Sequence, residues 1–165
     1  MDNDVPILNL DQLEFSDHQQ GERFAAHFGL LSRPLGAEKL GYRVNIIPAG
    51  KSAWPFHRHL ANEEMLFILE GEGTLRLGDE RLPLRAGDVV ALLAEGPAHE
   101  VINDSDGYLK YLSVSTMETP EIIEYPDSDK FAVYAGAAPG GDKEERSFEA
   151  VVPNGARVDY WDGEA

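Results

Sequence analysis

The sequence predicts an all-β fold, a sandwich or a barrel that is built from many short strands. Glycine and proline together account for 26 of the 165 residues, and they recur at short intervals through the middle of the chain. Between them lie short runs that are rich in Val, Ile, Leu, Phe and Tyr. Short apolar runs separated by turn residues at regular spacing are typical of sandwiches and barrels. The length suits one domain with a sizeable hydrophobic core.

The strands of the central region follow from their alternating or continuous apolar patterns. In chain order, they are predicted at 42–47, 65–69, 74–77, 81–85, 89–93, 99–102 and 108–115. Gly78 and Asp79 predict a tight hairpin turn between the third and the fourth of these strands. Pro83 in the fourth strand has no backbone N–H to donate. This strand is therefore expected at a sheet edge, or with that position unpaired.

The two ends of the chain have weaker patterns. The apolar residues of 16–31 suit one face of a helix as well as one face of a strand, so both alternatives stay open. From Met117 onward, turn and loop residues dominate. Two short apolar stretches in that part, 131–134 and 148–152, could form strands.

The chain is strongly acidic, with 30 Asp and Glu against 14 Lys and Arg and a formal net charge of −16. This charge repels nucleic acid and anionic lipid surfaces, so neither is expected as a partner. The absence of cysteine excludes disulfides, thiolate zinc sites and cysteine nucleophiles. Residues 1–4 lack the basic and apolar regions of a signal peptide, and no apolar run is long enough to cross a bilayer. The expected location is the cytoplasm.

Three of the five histidines and one glutamate form a pattern that is typical of a metal site. His57 and His59 are two residues apart, so both imidazoles point to the same face of an extended segment. A short turn could fold Glu64 back toward them, and His99 opens a later strand that could lie alongside. Three imidazoles and a carboxylate suit Fe(II), Mn(II), Ni(II), Co(II), Cu(II) or Zn(II) better than Ca(II) or Mg(II). Four protein ligands leave positions open on an octahedral ion, as a catalytic site requires.

The alternative interpretation is that His57 and His59 are solvated residues of a hairpin and bind no metal. His18 and His27 lie outside the pattern and are expected to be ordinary surface or packing residues. The sequence contains no Walker loop, no dinucleotide-binding glycine motif and no serine-protease order of Ser, His and Asp.

The spacing of these residues resembles the two motifs of the cupin superfamily. The matching residues are His57, His59, Glu64 and Gly71 for the first motif, and Gly87, Asp88, Gly96, His99 and Asn103 for the second. The resemblance covers a barrel core at about 41–116, between an N-terminal arm (1–40) and a C-terminal extension (117–165). The extension looks like that of a group of uncharacterised single-domain cupins, so residues 1–165 are expected to form a single domain.

The resemblance implies a double-stranded β-helix, which is a small jelly-roll barrel with a metal inside one mouth. It implies that the metal ligands are His57, His59, Glu64 and His99. Glu63 is the rival of Glu64 for the carboxylate position, and the spacing to the glycine favours Glu64. Asn103 matches a position that is usually structural. A homodimer is also implied, and the segment 23–31 is expected to add a strand to the partner's sheet.

The loops over the predicted site depart from the family pattern, so the resemblance does not name a substrate. Leu93 stands where the second motif usually has a proline. The segment 54–56, Trp-Pro-Phe, is expected to form an apolar wall for a small molecule or to pack the barrel mouth. A polar contact to substrate is expected from Arg43 or Asn45, if their face of the strand points inward.

Two functions are compatible with this pattern. The first is a metal-dependent enzyme that acts on a small molecule, such as a dioxygenase, a decarboxylase or an isomerase of sugars or sugar phosphates. The second is a non-catalytic barrel that binds or senses a small ligand. No general base stands out beside the predicted ligands, so the sequence does not choose the reaction.

Overall fold

The computed structural model describes residues 6–164, which form β-strands and short 3-10 helices. The strands are β1 (Ser16–Gln20), β2 (Phe24–Leu30), β3 (Leu40–Ile47), β4 (Lys51–Ser52), β5 (Arg58–His59), β6 (Glu64–Glu70), β7 (Glu72–Leu77), β8 (Glu80–Arg85), β9 (Val89–Leu92), β10 (His99–Asn103), β11 (Leu109–Thr116), β12 (Glu121–Tyr125), β13 (Lys130–Ala135) and β14 (Phe148–Pro153). The 3-10 helices cover Leu10–Gln12, Pro126–Ser128, Lys143–Glu145 and Asn154–Ala156. Within 6–164, no helix has the length and the apolar character that a membrane crossing needs.

The strands form two sheets. The larger sheet has ten strands in the order β8-β7-β10-β4-β2-β3-β11-β6-β9, and β1 pairs with β2 outside this path. The smaller sheet has the order β14-β13-β12-β5. It joins three strands from the C-terminal part of the chain to β5, which lies in the middle of the sequence. The C-terminal extension is therefore built onto the barrel through strand pairing.

The hydrophobic core lies on the inward face of the larger sheet. Strand β11 shows the pattern, because Leu109, Tyr111 and Ser113 are buried at alternate positions. In β6, Leu66 and Ile68 are buried on the face that also carries Glu64, as the sequence predicts for barrel-lining residues. The core cluster consists of Ala26, Ile47, Ala53, Leu66, Ile68, Leu75, Leu84, Leu92, Val101, Leu109 and Tyr111. Removal of these side chains from water stabilises the barrel.

The strands that the sequence predicts in the central region are all present, with ends that shift by two residues at most. The predicted turn at Gly78 and Asp79 connects β7 to β8. Strand β8, which contains Pro83, stands at one end of the larger sheet, and this confirms the edge position. The two apolar stretches near the C-terminus are the strands β13 and β14.

The N-terminal segment, which fits helix and strand patterns equally, forms the hairpin of β1 and β2. Strand β2 pairs with β1 along one edge and with β3 along the other, so it completes the sheet of its own chain. The prediction that residues 23–31 add a strand to a partner's sheet is therefore wrong, because these backbone groups are already bonded within the chain. The homodimer itself stays a prediction.

The expectation of mostly loop structure after Met117 is wrong for Glu121–Tyr125, which forms β12. Its sequence, Glu-Ile-Ile-Glu-Tyr, has no clean apolar alternation because two charged residues flank the isoleucines. The strand forms because it pairs with β13 on one side and with β5 on the other. The pairs with β5 place Ile123 opposite His59 and Glu124 opposite Arg58.

Asn103, at the end of β10, holds together the loop that leads into β11. The residue is fully buried, and its amide nitrogen donates to the carbonyl oxygens of Ile47 and Gly107, at 2.8 Å each. Its amide oxygen accepts from the backbone N–H of Ser105 at 3.1 Å. These contacts join β10 to the end of β3 and to the loop before β11, as the structural role predicted for this residue requires.

We expect Asn103→Ala to lower the free energy of unfolding by about 2–3 kcal/mol, because it removes a fully buried side chain together with its hydrogen bonds to Ile47, Ser105 and Gly107. Urea denaturation followed by circular dichroism measures the change. Asp106→Ala in the same loop is the control, since Asp106 is exposed, and it is expected to change the free energy by less than about 0.5 kcal/mol. Equal values for the two variants would contradict the role assigned to Asn103.

Candidate metal centre

The backbone brings the histidines of the two sequence motifs side by side. His57 lies just before β5, and an isolated bridge joins it to His99 at the start of β10. Two hydrogen bonds form this bridge, from the His57 N–H to the His99 carbonyl at 3.1 Å and from the His99 N–H to the His57 carbonyl at 2.7 Å. Residues that are 42 positions apart in the sequence therefore become neighbours. Glu64, the first residue of β6, completes this end of the barrel.

The structure brings three of the four predicted ligands close together and places the fourth beside them. Nitrogen or oxygen atoms of His57, Glu64 and His99 lie within 4.8 Å of one another, an arrangement that could hold a metal ion. The His99 Nε2 atom is 3.0 Å from Glu64 Oε2. His59 lies beside this group, with its Nε2 atom 3.5 Å from Glu64 Oε2 and its ring centroid 5.1 Å from that of His57. Glu63, the rival carboxylate, is exposed and lies outside the group.

Two of the histidines, His57 and His59, are held in place by hydrogen bonds at their Nδ1 atoms. His57 Nδ1 donates to the carbonyl oxygen of Pro55 at 2.6 Å. His59 Nδ1 is 3.2 Å from Glu121 Oε2, and it donates to this carboxylate because an ionised carboxylate only accepts. With the proton on Nδ1, the Nε2 atom keeps its lone pair. Metal-binding histidines usually have this arrangement.

The protonation states also suit a ligand set. Burial alone would raise the pKa of Glu64, but the hydrogen bond from His99 and the nearby histidine rings lower it to about 2. Burial lowers the pKa of His57 to about 3, and the neighbouring His99 contributes to the shift. Near neutral pH, Glu64 is therefore an anion and His57 is a neutral imidazole. Burial opposes protonation of His59, but the hydrogen bond to Glu121 and the charge of Glu64 raise its pKa.

Glu121 supports the centre from the C-terminal extension, and the sequence analysis missed it. Its side chain is fully buried, and its Oε1 atom accepts from the backbone N–H groups of Leu60 and Ala61, at 3.2 and 3.0 Å. Its Oε2 atom accepts from the backbone N–H of Asn62 at 3.2 Å and also bonds the Asn62 side-chain amide. Burial opposes ionisation, but the hydrogen bond from His59 and those from the loop lower the pKa of Glu121. No local pattern signals this role, because Glu121 is remote in sequence from both motifs.

A cavity of about 290 Å³ opens onto the four predicted ligands. Arg43, Tyr111 and Ser113 from the larger sheet line it, and Tyr125 and Tyr134 from the extension close another side. A cavity of this size holds a small molecule with a few polar contacts. The extension therefore contributes directly to the shape of the site.

Some of the residues that were predicted to contact a small molecule line the cavity, and others are buried behind its wall. Trp54 and Pro55 line the cavity, as expected for an apolar wall, whereas Phe56 is buried beneath the guanidinium of Arg76. Of the two expected polar contacts, Arg43 lines the cavity. Asn45 is fully buried and donates to the Ser113 hydroxyl at 3.0 Å. Asn45 therefore acts behind the cavity wall.

The other two histidines lie outside the group. The ring of His18 stacks on Trp54 with a centroid distance of 5.0 Å. His27 Nδ1 is 2.6 Å from Asp17 Oδ1 on the neighbouring strand. Both contacts agree with the prediction of ordinary packing or surface residues.

Comparison with known proteins identifies the fold. Residues 43–115 match the family described as the cupin domain. An uncharacterised protein from Methanocaldococcus jannaschii is 32% identical over 83 residues, which cover 48% of this chain and 65% of that protein. The matched region thus spans somewhat less than two thirds of this relative's length.

Two solved structures are similar along almost the whole chain. The first comes from Acidithiobacillus ferrooxidans and is provisionally named a sugar phosphate isomerase. Its TM-score is 0.78, with 21% identity over 93% of this chain and 96% of that chain. The second is named a sugar phosphate isomerase of the cupin superfamily, from Silicibacter pomeroyi. Its TM-score is 0.75, with 22% identity over 95% of this chain and 98% of that chain. These similarities confirm the double-stranded β-helix fold, and residues 43–115 are similar to the cupin domain.

Proposed function

We propose that this protein is a metal-dependent enzyme that acts on a small molecule, with one divalent transition metal bound by His57, His59, Glu64 and His99. The observation that carries the proposal is the grouping of His57, Glu64 and His99, with His59 beside Glu64, at a cavity large enough for a small substrate. This set of ligand atoms fits a divalent transition metal, since imidazole and carboxylate are ligands for Fe, Mn, Ni, Co, Cu and Zn. The hydrogen bonds of His57 and His59 on their Nδ1 atoms fit it as well.

The side chains of the cavity suggest how a substrate would be held. A metal at this position would polarise an oxygen atom of the substrate or bind dioxygen beside it. Burial raises the pKa of Tyr111 and of Tyr125 above the ordinary value for tyrosine, so both phenols stay protonated near neutral pH. Each can therefore donate a hydrogen bond to a substrate oxygen. The apolar wall of Trp54 and Pro55 would exclude water from one side.

Among the reactions that the sequence leaves open, we place isomerisation of a sugar or sugar phosphate before dioxygenation and decarboxylation. The two similar structures that include the C-terminal extension carry the name sugar phosphate isomerase. The extension supplies Tyr125 and Tyr134 to the cavity, so its presence in those proteins bears on the shape of the site. Sugar phosphates are therefore the first substrates to test.

Elemental analysis of the purified protein tests the metal centre. We expect about one transition metal per chain in the wild type and a loss of metal in His57→Ala and in His99→Ala. The control is His27→Ala, because His27 pairs with Asp17 away from the centre and its substitution is expected to leave the metal content unchanged. Wild-type protein that stays empty after Fe, Mn, Ni and Zn are offered would contradict the proposal.

A turnover assay separates the enzyme from a non-catalytic binding barrel. Metal-loaded protein is incubated with a panel of sugar phosphates and small carboxylates, and the products are followed by NMR. Conversion of one compound by the wild type, but not by His99→Ala, is the expected result. A compound that raises the melting temperature and is recovered unchanged would instead indicate a binding function.

A further inference from the structure

Arg43 brings a positive charge into the cavity of the candidate metal centre. It lies on the inward face of β3, two residues before the fully buried Asn45, and its side chain lines the cavity. Its guanidinium carbon lies 4.5 Å from the centroid of the Trp54 ring. An arginine stacked on an aromatic face is held in place, while the donors in the guanidinium plane stay available.

This charge has no carboxylate partner within residues 6–164. Arginines 23, 33, 58, 76 and 146 each form an ion pair, whereas Arg43 forms none with any residue in that range. Burial lowers the pKa of Arg43, while Tyr111 and Glu64 oppose that shift. Tyr111 supplies no counter-charge, because burial raises its own pKa and keeps the phenol neutral. Glu64 is bonded to His99 and belongs to the proposed ligand set.

The carboxylates around the cavity are already engaged by other groups, so an anionic ligand could pair with Arg43. Glu64 is engaged by His99, and Glu121 by His59 and the loop 60–62, so neither carboxylate pairs with Arg43. Glu100, which also lines the cavity, is held by Arg23 through two contacts of 2.7 Å. Arg43 is then the charge that remains. A partly buried cation without a counter-charge is costly unless a ligand compensates it.

The sheet register places a second polar donor beside Arg43. Arg43 on β3 lies directly opposite Ser113 on β11, and side chains at opposed positions share one face. The Ser113 hydroxyl accepts from Asn45, which leaves its own proton free to donate. Together, the guanidinium and the hydroxyl present several donors to one region of the cavity, as an oxyanion requires.

The same register separates this pair from the metal ligands by a short distance. Ser115 on β11 lies opposite Glu64 on β6, and it is two residues beyond Ser113. In the sheet, the strand of Arg43 is the second strand from that of Glu64, and Arg43 lies two residues further along the strand direction. With strand spacing near 4.8 Å, this places their Cα atoms about 12 Å apart. Since both side chains point inward, a molecule of a few carbon atoms could reach both.

We propose that Arg43 and Ser113 form an oxyanion subsite, and that the small molecule acting at the metal centre carries a carboxylate or a phosphate group which this subsite binds. The assignment of that molecule as a substrate rests on the proposed function. The subsite itself rests only on the unpaired arginine, its serine neighbour and the cavity.

Isothermal titration of the metal-loaded protein with inorganic phosphate and, separately, with acetate tests the subsite. We expect at least one anion to bind, and the tighter of the two indicates the class of group. Glycerol serves as the neutral probe and is expected to bind more weakly than that anion. Arg43→Gln is expected to weaken anion binding by about tenfold or more, and Arg43→Lys by less, because lysine keeps the charge without the planar donor pair.

Arg81→Gln is the matched control, since Arg81 is an exposed arginine on the edge strand β8 and does not line the cavity. It is expected to leave the affinity unchanged. Melting curves without anion verify that Arg43→Gln is folded. If neither anion binds, or if Arg43→Gln binds the anion as tightly as the wild type, the subsite is disproved. Anion binding that depends on Arg43 in a protein that takes up no metal would support the subsite while contradicting the metal-dependent enzyme.

Discussion

Substituting Glu121 with alanine is expected to lower the free energy of unfolding by about 3–5 kcal/mol, the cost of breaking a buried ionic network by removing one member. The carboxylate is fully buried and accepts hydrogen bonds from His59 and from the loop 60–62. Alanine leaves His59 Nδ1 and the N–H groups of Ala61 and Asn62 without this acceptor, and it opens a cavity. Urea denaturation, followed by circular dichroism and by tryptophan fluorescence, measures the change.

Two further variants separate the possible causes. Glu118→Ala removes an exposed carboxylate three residues earlier, and it is expected to change the free energy by less than about 0.5 kcal/mol. Glu121→Gln keeps the shape but removes the charge, so it is expected to lie between the two alanine variants. If Glu121→Ala were as stable as Glu118→Ala, Glu121 would not be the residue that joins the extension to the barrel.

The metal content of Glu121→Gln gives a second measurement that stability alone would not change. Because Glu121 accepts from His59 Nδ1, it fixes the proton of the neutral ring on Nδ1 and orients the Nε2 atom toward Glu64. Loss of such a hydrogen bond typically weakens metal affinity by about 10–100-fold. This effect would be seen at temperatures where the variant is fully folded.

Gly71→Ala is expected to cost about 3–4 kcal/mol, a second large effect. The residue follows β6 with φ at +83°, where an L side chain adds strain. A Cβ atom there would lie 2.2 Å from the carbonyl oxygen of Tyr108 and 3.2 Å from Leu109 Cα. Both contacts are with backbone atoms that cannot rotate away, so β11 would have to shift, which adds an overpacking cost.

Two other glycines distinguish the cost of backbone strain at a positive φ from the cost of a steric clash of the added Cβ atom. Gly87 has φ at +93°, but an added Cβ would meet no atom within 4 Å, so Gly87→Ala is expected to cost only about 1–2 kcal/mol. Gly107 has neither a positive φ nor a close neighbour, so Gly107→Ala is expected to be within about 0.5 kcal/mol of the wild type. The three melting curves should rank in this order. A Gly71→Ala protein no less stable than Gly87→Ala would show that β11 adjusts without cost.

The extension explains why the cupin motifs alone do not complete this centre. The family match covers residues 43–115 and ends before Glu121, Tyr125 and Tyr134. These residues hold His59 and line the cavity. The extension, which lies outside the family match, therefore supports the centre and forms part of the cavity wall. For this reason we expect substrate selection to depend on the extension as well as on the barrel.

Local sequence patterns were sufficient to predict the strands of the barrel and most of the side chains that lie together at the candidate metal centre. Strand alternation is a property of neighbouring residues, so it places Glu64, Leu66 and Ile68 on one face. The missing N–H of Pro83 likewise predicted the edge position of β8. The spacing of His57, His59 and Glu64 encodes one short extended segment and its turn. His99 was placed with them through the resemblance of the second motif. Their role as ligands stays a prediction that the metal analysis tests.

Contacts between segments that are distant in the sequence decided the other features of the fold and of the site. Whether residues 24–30 were helix or strand depended on pairing with β1 and β3, which no local period records. The strand β12 has an indistinct pattern, and it forms because β5 and β13 supply partners for its backbone. Arg43 and Glu121 are ordinary charged residues in the sequence. Their importance arises from removal from water, because a charge that loses solvent needs a partner. Only the tertiary structure shows that Glu121 is fully buried with partners, and that the partly buried Arg43 has no carboxylate partner within residues 6–164.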